Sequence, residues 1–175
     1  MKKIYLLLVL AILMGGCTKY IIKPVKDDGK YKEYFTARLQ LFNNPNPGAH
    51  ALPKKHRKNA QAIGFILHIK NNTEENLEID WNKTLFFNKE YTDGSFLLGS
   101  GLCADKDSAK INDIIFAHGT FSKRIYPSHL IIGTKNGGCE SRLMGIGKLG
   151  VFLSLKYKNQ ELQKKLFVEV VKEEN

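Results

Sequence analysis

The stretch Ile63-Gly-Phe-Ile-Leu-His-Ile-Lys70 alternates apolar and polar side chains over most of its length. Phe65, Leu67 and Ile69 share one face, while His68 and Lys70 lie on the other. A period of two over four to eight residues is typical of a β-strand with one buried face. The stretch therefore predicts a half-buried strand.

The same alternation recurs in four further segments, residues 35–41, 77–81, 151–157 and 166–170. Polar turn sequences separate them, and no comparable stretch has the i, i+3, i+4, i+7 spacing of an amphipathic helix. The consecutive Leu85-Phe-Phe87 indicates a strand covered on both sides, which favours two sheets over one. We therefore predict an all-β fold, an antiparallel immunoglobulin-like β-sandwich of about seven strands.

The composition agrees with one globular domain. The 175 residues are 43% hydrophobic and 25% charged, and the net charge is +10. The positive charge favours anionic partners.

The first residues have the pattern of an export signal. Lys2 and Lys3 precede eleven apolar residues, 4–14, and Gly15-Gly16 comes directly before Cys17. As a helix, eleven residues extend about 16 Å, whereas a membrane span needs about 30 Å. We therefore predict a cleaved signal peptide over residues 1–16.

Leu13-Met-Gly-Gly-Cys17 resembles the lipobox of bacterial lipoproteins. The resemblance implies that Cys17 becomes the first mature residue and that its acyl chains anchor the protein to a membrane. Thr18, where inner-membrane lipoproteins carry Asp, favours the outer membrane facing the periplasm in a Gram-negative organism. The alternative is an ordinary secretory signal with an incidental cysteine.

The expected organisation is a signal peptide at 1–16, an acylated cysteine with a tether at 17–30, and the sandwich at 31–175. An edge strand through 20–22 is the alternative for part of the tether. Export also places Cys103 and Cys139 in an oxidising compartment, where a disulfide is expected. The two cysteines are 36 positions apart, for which loop entropy gives about 3–4 kcal/mol.

A second resemblance covers roughly residues 60–171. It rests on Ile69-Lys-Asn-Asn72, the segment 77–83, Ile125-Tyr-Pro127 and Gly145-Ile-Gly147 followed by a hairpin. These segments look like small bacterial envelope lipoproteins with an immunoglobulin-like sandwich. The resemblance implies a fold and a location, and it carries over no activity and no functional residue.

The long segment between the first two predicted strands is basic. It contains Pro53-Lys-Lys-His-Arg-Lys58. Lys54, Lys55, Arg57 and Lys58 are candidate contacts for an anionic lipid, a glycan or an acidic envelope protein. The alternative is a solvated loop. Nucleic acid is not an expected partner, because the compartment is wrong and the loop lacks stacking aromatics.

Catalytic patterns are weak. The glycines 145, 147 and 150 match G-x-G-x-x-G, but a strand follows them, whereas a dinucleotide site needs a helix there. The residues of a hydrolase triad occur in one region without a nucleophile elbow: Asp113, His118, Ser122, Ser128 and His129. No Cys and His spacing suits zinc. We expect no metal, no cofactor and no enzymatic activity, and we expect Trp81 to lie in the core.

The sequence therefore predicts a non-enzymatic, acyl-anchored envelope lipoprotein that binds another envelope component. An immunity or exclusion lipoprotein that blocks a toxin or a phage is the alternative. A periplasmic hydrolase is a third.

Overall fold

The fold is built around a β-hairpin of two long strands. The computed structural model describes residues 20–23, 28–42, 62–89, 91–99, 105–134 and 139–172. The eleven residues of β12, Gly147–Tyr157, pair antiparallel with the thirteen residues of β13, Gln160–Lys172. Lys158 and Asn159 form the turn, and Lys158 has a positive φ of 52°, as two-residue hairpin turns require.

The other strands are shorter, and three have eight residues. They are β1 (Tyr20–Lys23), β2 (Phe35–Phe42), β3 (Gly64–Asn71), β4 (Leu77–Ile79), β5 (Leu85–Asn88), β6 (Tyr91–Thr92), β7 (Phe96–Leu98), β8 (Asp113–Ile115), β9 (Thr120–Pro127), β10 (Ile131–Gly133) and β11 (Cys139–Ser141). A 3-10 turn, Ser128–Leu130, follows β9.

These strands form two main sheets with antiparallel pairings. The seven-stranded sheet has the order β1-β13-β12-β4-β8, and β5 pairs with β12 and with β6. The four-stranded sheet has the order β2-β3-β9-β7, and β10 and β11 form a separate pair. Apolar side chains from both main sheets form one core cluster. Phe65 of the four-stranded sheet lies 6.2 Å from Phe86 of the seven-stranded sheet, between ring centroids.

The two ends of the sandwich are fixed by hydrogen bonds that cross between the sheets. At one end, the Met144 backbone N–H, just before β12, donates to the Ala62 carbonyl, just before β3, at 2.8 Å. At the other end, the buried Asn71 amide of β3 donates to the Ile115 carbonyl of β8 at 3.1 Å. We call these the Met144 end and the Asn71 end.

Two parts of the predicted tether pack on the sandwich. The edge-strand alternative is what the structure has at Tyr20–Lys23, since β1 pairs with β13. Farther along, the buried Lys164 ammonium lies 3.4 Å from Asp28 Oδ1 and donates to the Lys30 carbonyl at 3.0 Å. Residues 28–30 are therefore held against the sheet.

The predicted fold class is confirmed in its all-β, antiparallel, two-sheet architecture. The described residues contain thirteen strands where about seven were expected. Eight of them have four residues or fewer. Of these, β4 and β5 lie in predicted strand segments, whereas β6, β7, β8, β10 and β11 are too short for alternation to be recognised. Trp81 is 1% exposed, as predicted for a core residue. The predicted signal peptide, residues 1–16, lies outside the described residues.

Candidate functional site

The outward face of the four-stranded sheet carries a groove of about 460 Å³. Strand register creates it, because Thr36, Lys70 and Thr120 form one row across β2, β3 and β9. The neighbouring outward row consists of Arg38, His68 and Ser122. The side chains between the two rows, Ala37, Ile69 and Phe121, pack toward the core. The floor of the groove is therefore backbone, and its walls are polar side chains.

The groove is basic. Arg38 and Lys70 are exposed, and Arg124 lies one row farther along β9. Arg124 also lies over the ring of Phe42, with its guanidinium carbon 4.6 Å from the centroid. Among the described residues, none of these three cations forms an ion pair.

No acidic side chain occupies an outward position on β2, β3 or β9. Those positions are Thr36, Arg38, Gln40, Phe42, Gly64, Ile66, His68, Lys70, Thr120, Ser122, Arg124 and Tyr126. Three fixed positive charges without a neutralising carboxylate produce a positive potential over this face.

His68 lies at the centre of the groove. Its Nε2 atom is buried, and within the described part of the chain it has no hydrogen-bond partner. Burial lowers the pKa of His68 below its ordinary value, and the positive charge of Arg38 lowers it further. A buried polar atom without a partner costs stability, and such atoms in native proteins call for an explanation.

A ligand that accepts hydrogen bonds and carries negative charge would match this arrangement. Two cations, three hydroxyl groups and one imidazole line the groove. Guanidinium and ammonium groups donate charge-assisted hydrogen bonds to phosphate, sulfate and carboxylate oxygens. The groove is therefore suited to bind an oxyanion.

The candidate residues of a hydrolase triad are held by separate partners. His118 Nε2 lies 2.9 Å from Glu74 Oε2, and His129 Nε2 lies 3.4 Å from Asp93 Oδ2. Asp113 Oδ2 accepts a hydrogen bond from Trp81 Nε1 at 2.7 Å and forms an ion pair with Lys123.

The two serines also have other surroundings. Ser122 belongs to the groove, and the Ser128 hydroxyl donates to the Lys106 carbonyl at 2.9 Å. In the described ranges, no serine is hydrogen-bonded to His118 or His129.

The three glycines of the G-x-G-x-x-G match have structural positions. Gly147 begins β12 with a φ of 113°, a conformation that favours glycine. A Cβ on Gly150 would lie 2.0 Å from the Leu166 carbonyl oxygen and 2.7 Å from Phe87 Cε1. As the sequence predicted, a strand follows this motif.

Most of the predicted site residues lie outside the described residues. These are Cys17, Cys103, Lys54, Lys55, Arg57 and Lys58. Cys139 begins β11, and its pairing with Cys103 remains a prediction. The basic segment joins the end of β2 to the start of β3, so it leaves the four-stranded sheet at the Met144 end.

Within the described ranges, no group of three or more His, Cys, Asp and Glu side chains is placed to hold a metal ion. No helix in that part of the chain is long and apolar enough to cross a membrane. The chain matches no protein-family model, no curated protein and no solved structure.

The sequence predicted that the groove residues lie on polar strand faces, but it did not predict that they form one groove. Alternation placed Thr36 and Arg38 on the polar face of one strand and His68 and Lys70 on that of another. It does not say which strands are neighbours or how they are aligned, and a shift of one residue would exchange the faces. The signal present in the sequence was the lack of acidic residues at these outward positions.

Proposed function

We propose that the chain is an acyl-anchored, non-enzymatic envelope lipoprotein that binds an anionic envelope component in the groove of β2, β3 and β9. The signal pattern that ends at Cys17 supports the anchor and the compartment. The outer membrane, facing the periplasm, is the proposed location in a Gram-negative organism.

One observation carries the binding function. In the register of β2 and β3, Arg38 lies opposite His68 and Lys70 lies two residues farther along β3. Within the described part of the chain, neither cation forms an ion pair and His68 Nε2 has no hydrogen-bond partner. A protein that only needed a solvated surface would gain nothing from holding like charges together around an unsatisfied nitrogen. A bound oxyanion would neutralise the two cations, and it would satisfy His68 Nε2 once the ring turns that atom toward the groove.

The ligand is an anionic glycan, an anionic lipid head group or an acidic segment of an envelope protein. The groove can enclose one such charged group. Lys54, Lys55, Arg57 and Lys58 are proposed as further contacts, since the segment that carries them connects β2 to β3, two strands that line the groove. Nucleic acid is not a proposed partner, because the export signal directs the chain out of the cytoplasm.

The anchor is tested by Cys17→Ser in cells that produce the full chain. The native protein should incorporate a labelled fatty acid and partition into the detergent phase, and the variant should do neither. A variant that keeps the label and the partitioning would refute acylation at Cys17.

The groove is tested with the mature protein in detergent and a sulfated oligosaccharide as the probe. The double variant Arg38→Gln/Lys70→Gln should bind at least about tenfold more weakly, because each lost charge-assisted hydrogen bond is worth about 1.5–3 kcal/mol. Added salt should weaken native binding.

The matched control removes two charges from the other sheet. Lys165 is exposed on the outward face of β13, and the exposed Lys83, just before β5, pairs with Glu161 of β13. Lys83→Gln/Lys165→Gln lowers the net charge equally and should bind the probe nearly as well as the native protein. Equal losses in the two double variants would mean that net charge, and not the groove, holds the anion.

A further inference from the structure

Several chain segments meet at the Met144 end. Tyr20, the first described residue, pairs with Lys172 at the end of β13, and Gly147 at the start of β12 pairs with Val170. Asn88, at the end of β5, pairs with Leu149. The start of β1 therefore lies at the same end as the segment that precedes β12.

Large apolar side chains are exposed at this end. Leu143 and Ile146, in the segment before β12, are 42% and 49% exposed. Tyr91, which pairs with Asn88 in the β5–β6 hairpin, is 79% exposed, and Ile22 of β1 is 54% exposed. Ile114 and Phe116, at the Asn71 end, are also exposed, so exposed apolar side chains mark candidate contacts at both ends. The position of the proposed anchor chooses between them.

Charged residues surround these apolar side chains. Among the described residues, the exposed cations at this end are Lys23, Lys89, Arg142 and Lys148, and the exposed anions are Asp93, Glu140 and Glu169. Cations therefore outnumber anions by one in this set. Aliphatic and tyrosine side chains bordered by lysine and arginine are suited to the surface of an anionic bilayer, where the apolar parts enter and the cations meet head groups.

The proposed anchor lies close to this surface. Cys17 comes three positions before Tyr20, so the two Cα atoms are at most about 11 Å apart. An acyl chain on Cys17 therefore brings the Met144 end to about one Debye length of the bilayer surface, where its cations interact with anionic lipids.

We infer that the Met144 end rests on the anionic bilayer that holds the acyl chains of Cys17, with Leu143 and Ile146 entering the interface. The inference rests on the proposed acylation. The same inference also determines where the groove lies relative to the membrane. The row of Thr36, Lys70 and Thr120 is next to the Phe35–Asn71 pair at the opposite end. The groove therefore lies in the half that is farther from the membrane.

The test uses the acylated full-length mature protein in vesicles of phosphatidylglycerol and phosphatidylethanolamine with brominated acyl chains, which quench tryptophan. The native Trp81 is 1% exposed and provides a shielded background. Leu143→Trp should lose most of its added emission on vesicle binding. Ile146→Trp repeats the measurement at a second exposed position.

Phe116→Trp is the matched control. Phe116 is 72% exposed and follows β8, which lies at the Asn71 end. Its added emission should be unaffected by the brominated lipid. Equal quenching at positions 143 and 116 would overturn the orientation.

The two proposals can fail separately. An anchored protein whose Leu143→Trp and Ile146→Trp emission is unchanged by vesicles would overturn the inference and assign this end to a protein partner, while the acyl anchor would stand. Vesicle binding that is the same in a Cys17→Ser background would refute the anchor itself, and with it the inference.

Discussion

The outward faces of the two sheets arise from the same alternation of apolar and polar residues, but they differ in whether their charged side chains form ion pairs. On the seven-stranded sheet, Lys156 Nζ lies 3.1 Å from Glu78 Oε1 and 3.4 Å from Asp80 Oδ2. Beside it, Lys83 Nζ lies 3.0 Å from Glu161 Oε1. On the four-stranded sheet, the outward cations have no carboxylate beside them. Paired charges indicate a solvated face, and unpaired like charges indicate a face that meets a ligand.

The two faces also differ in where aromatic side chains cover them. On the seven-stranded sheet, Phe87 and Phe167 meet with centroids 6.3 Å apart over Gly150, in the middle of β12. On the four-stranded sheet, Phe42 and Tyr126 meet with centroids 5.9 Å apart beside Gly64, at the Met144 end and away from the groove. One face is partly closed by its own side chains, and the other leaves a groove open.

The largest expected effect comes from breaking the closed face. Gly150→Ala should lower the free energy of unfolding by about 3 kcal/mol, the upper part of the range for overpacking. The added Cβ meets the Leu166 backbone and both aromatic side chains at distances that a native packing does not allow. Urea denaturation measures the change.

Alanine substitutions at two other glycines provide reference values for this change in stability. Gly145→Ala should change stability by less than about 0.5 kcal/mol, since a Cβ there meets nothing within 4 Å. Gly64→Ala should fall between, because its Cβ would lie 2.6 Å from the Ile125 carbonyl oxygen. If Gly150→Ala is no worse than Gly145→Ala, the aromatic cover over β12 is absent in solution.

As the pH is lowered, the titratable groups of the two faces should lose their contributions to folding stability in different pH ranges. A hydrogen bond from Asn112, followed by one from Lys156, lowers the pKa of Glu78 below its ordinary 4.5. Hydrogen bonds from Lys83 and then Ser154 lower the pKa of Glu161. The unfolded chain therefore takes up protons before the folded chain does, and stability falls as the pH drops below 4.5 through the folded-state pKa values.

The open face should respond at higher pH. The pKa of His68 is lowered from 6.5 by burial and by Arg38, so the unfolded chain again binds its proton first. Stability should fall as the pH drops below 6.5 and level off below the folded-state pKa. His68→Gln should remove only the loss of stability that begins below pH 6.5. Glu78→Gln/Glu161→Gln should remove only the loss that begins below pH 4.5. If His68→Gln leaves the loss of stability below pH 6.5 unchanged, another group causes that loss.

The sequence was sufficient for the class of fold and for the direction of most side chains. The predicted inward residues Phe35, Phe65, Leu67 and Leu153 are all buried, because a two-residue period and a hydrophobic core leave little choice of face. Of the eight short strands, β4 and β5 lie in segments that the sequence predicted as strands, and β1 lies where an edge strand was the alternative. The other five were not predicted, because strands of two or three residues show no clear alternation.

The candidate site needed information that one sequence does not contain. His68 and Ser122 are 54 positions apart in the chain, and only the pairing of β3 with β9 places them side by side. The buried Lys164 shows the same limit. Alternation would place an apolar residue there, whereas the structure binds its ammonium to Asp28 and the Lys30 carbonyl.

A small effect on folding is expected from giving the open face the carboxylate that it lacks. Ser122→Asp places an acidic group next to His68 in the register of β3 and β9, where cross-strand neighbours are about 5 Å apart. The change in stability should stay within about 1 kcal/mol, the range of cross-strand pairs. The pKa of His68 should rise, because the carboxylate favours the protonated ring, and binding of the sulfated probe should weaken.

Thr120→Asp is the control for this last prediction, since it places the same charge one outward position away, opposite Lys70. It should also weaken anion binding while moving the His68 titration less, as followed by NMR. The difference between the two variants isolates the contact with His68 from the general loss of positive potential. If both variants shift His68 equally, its ring does not point toward Ser122, and the buried nitrogen cannot be part of the anion site.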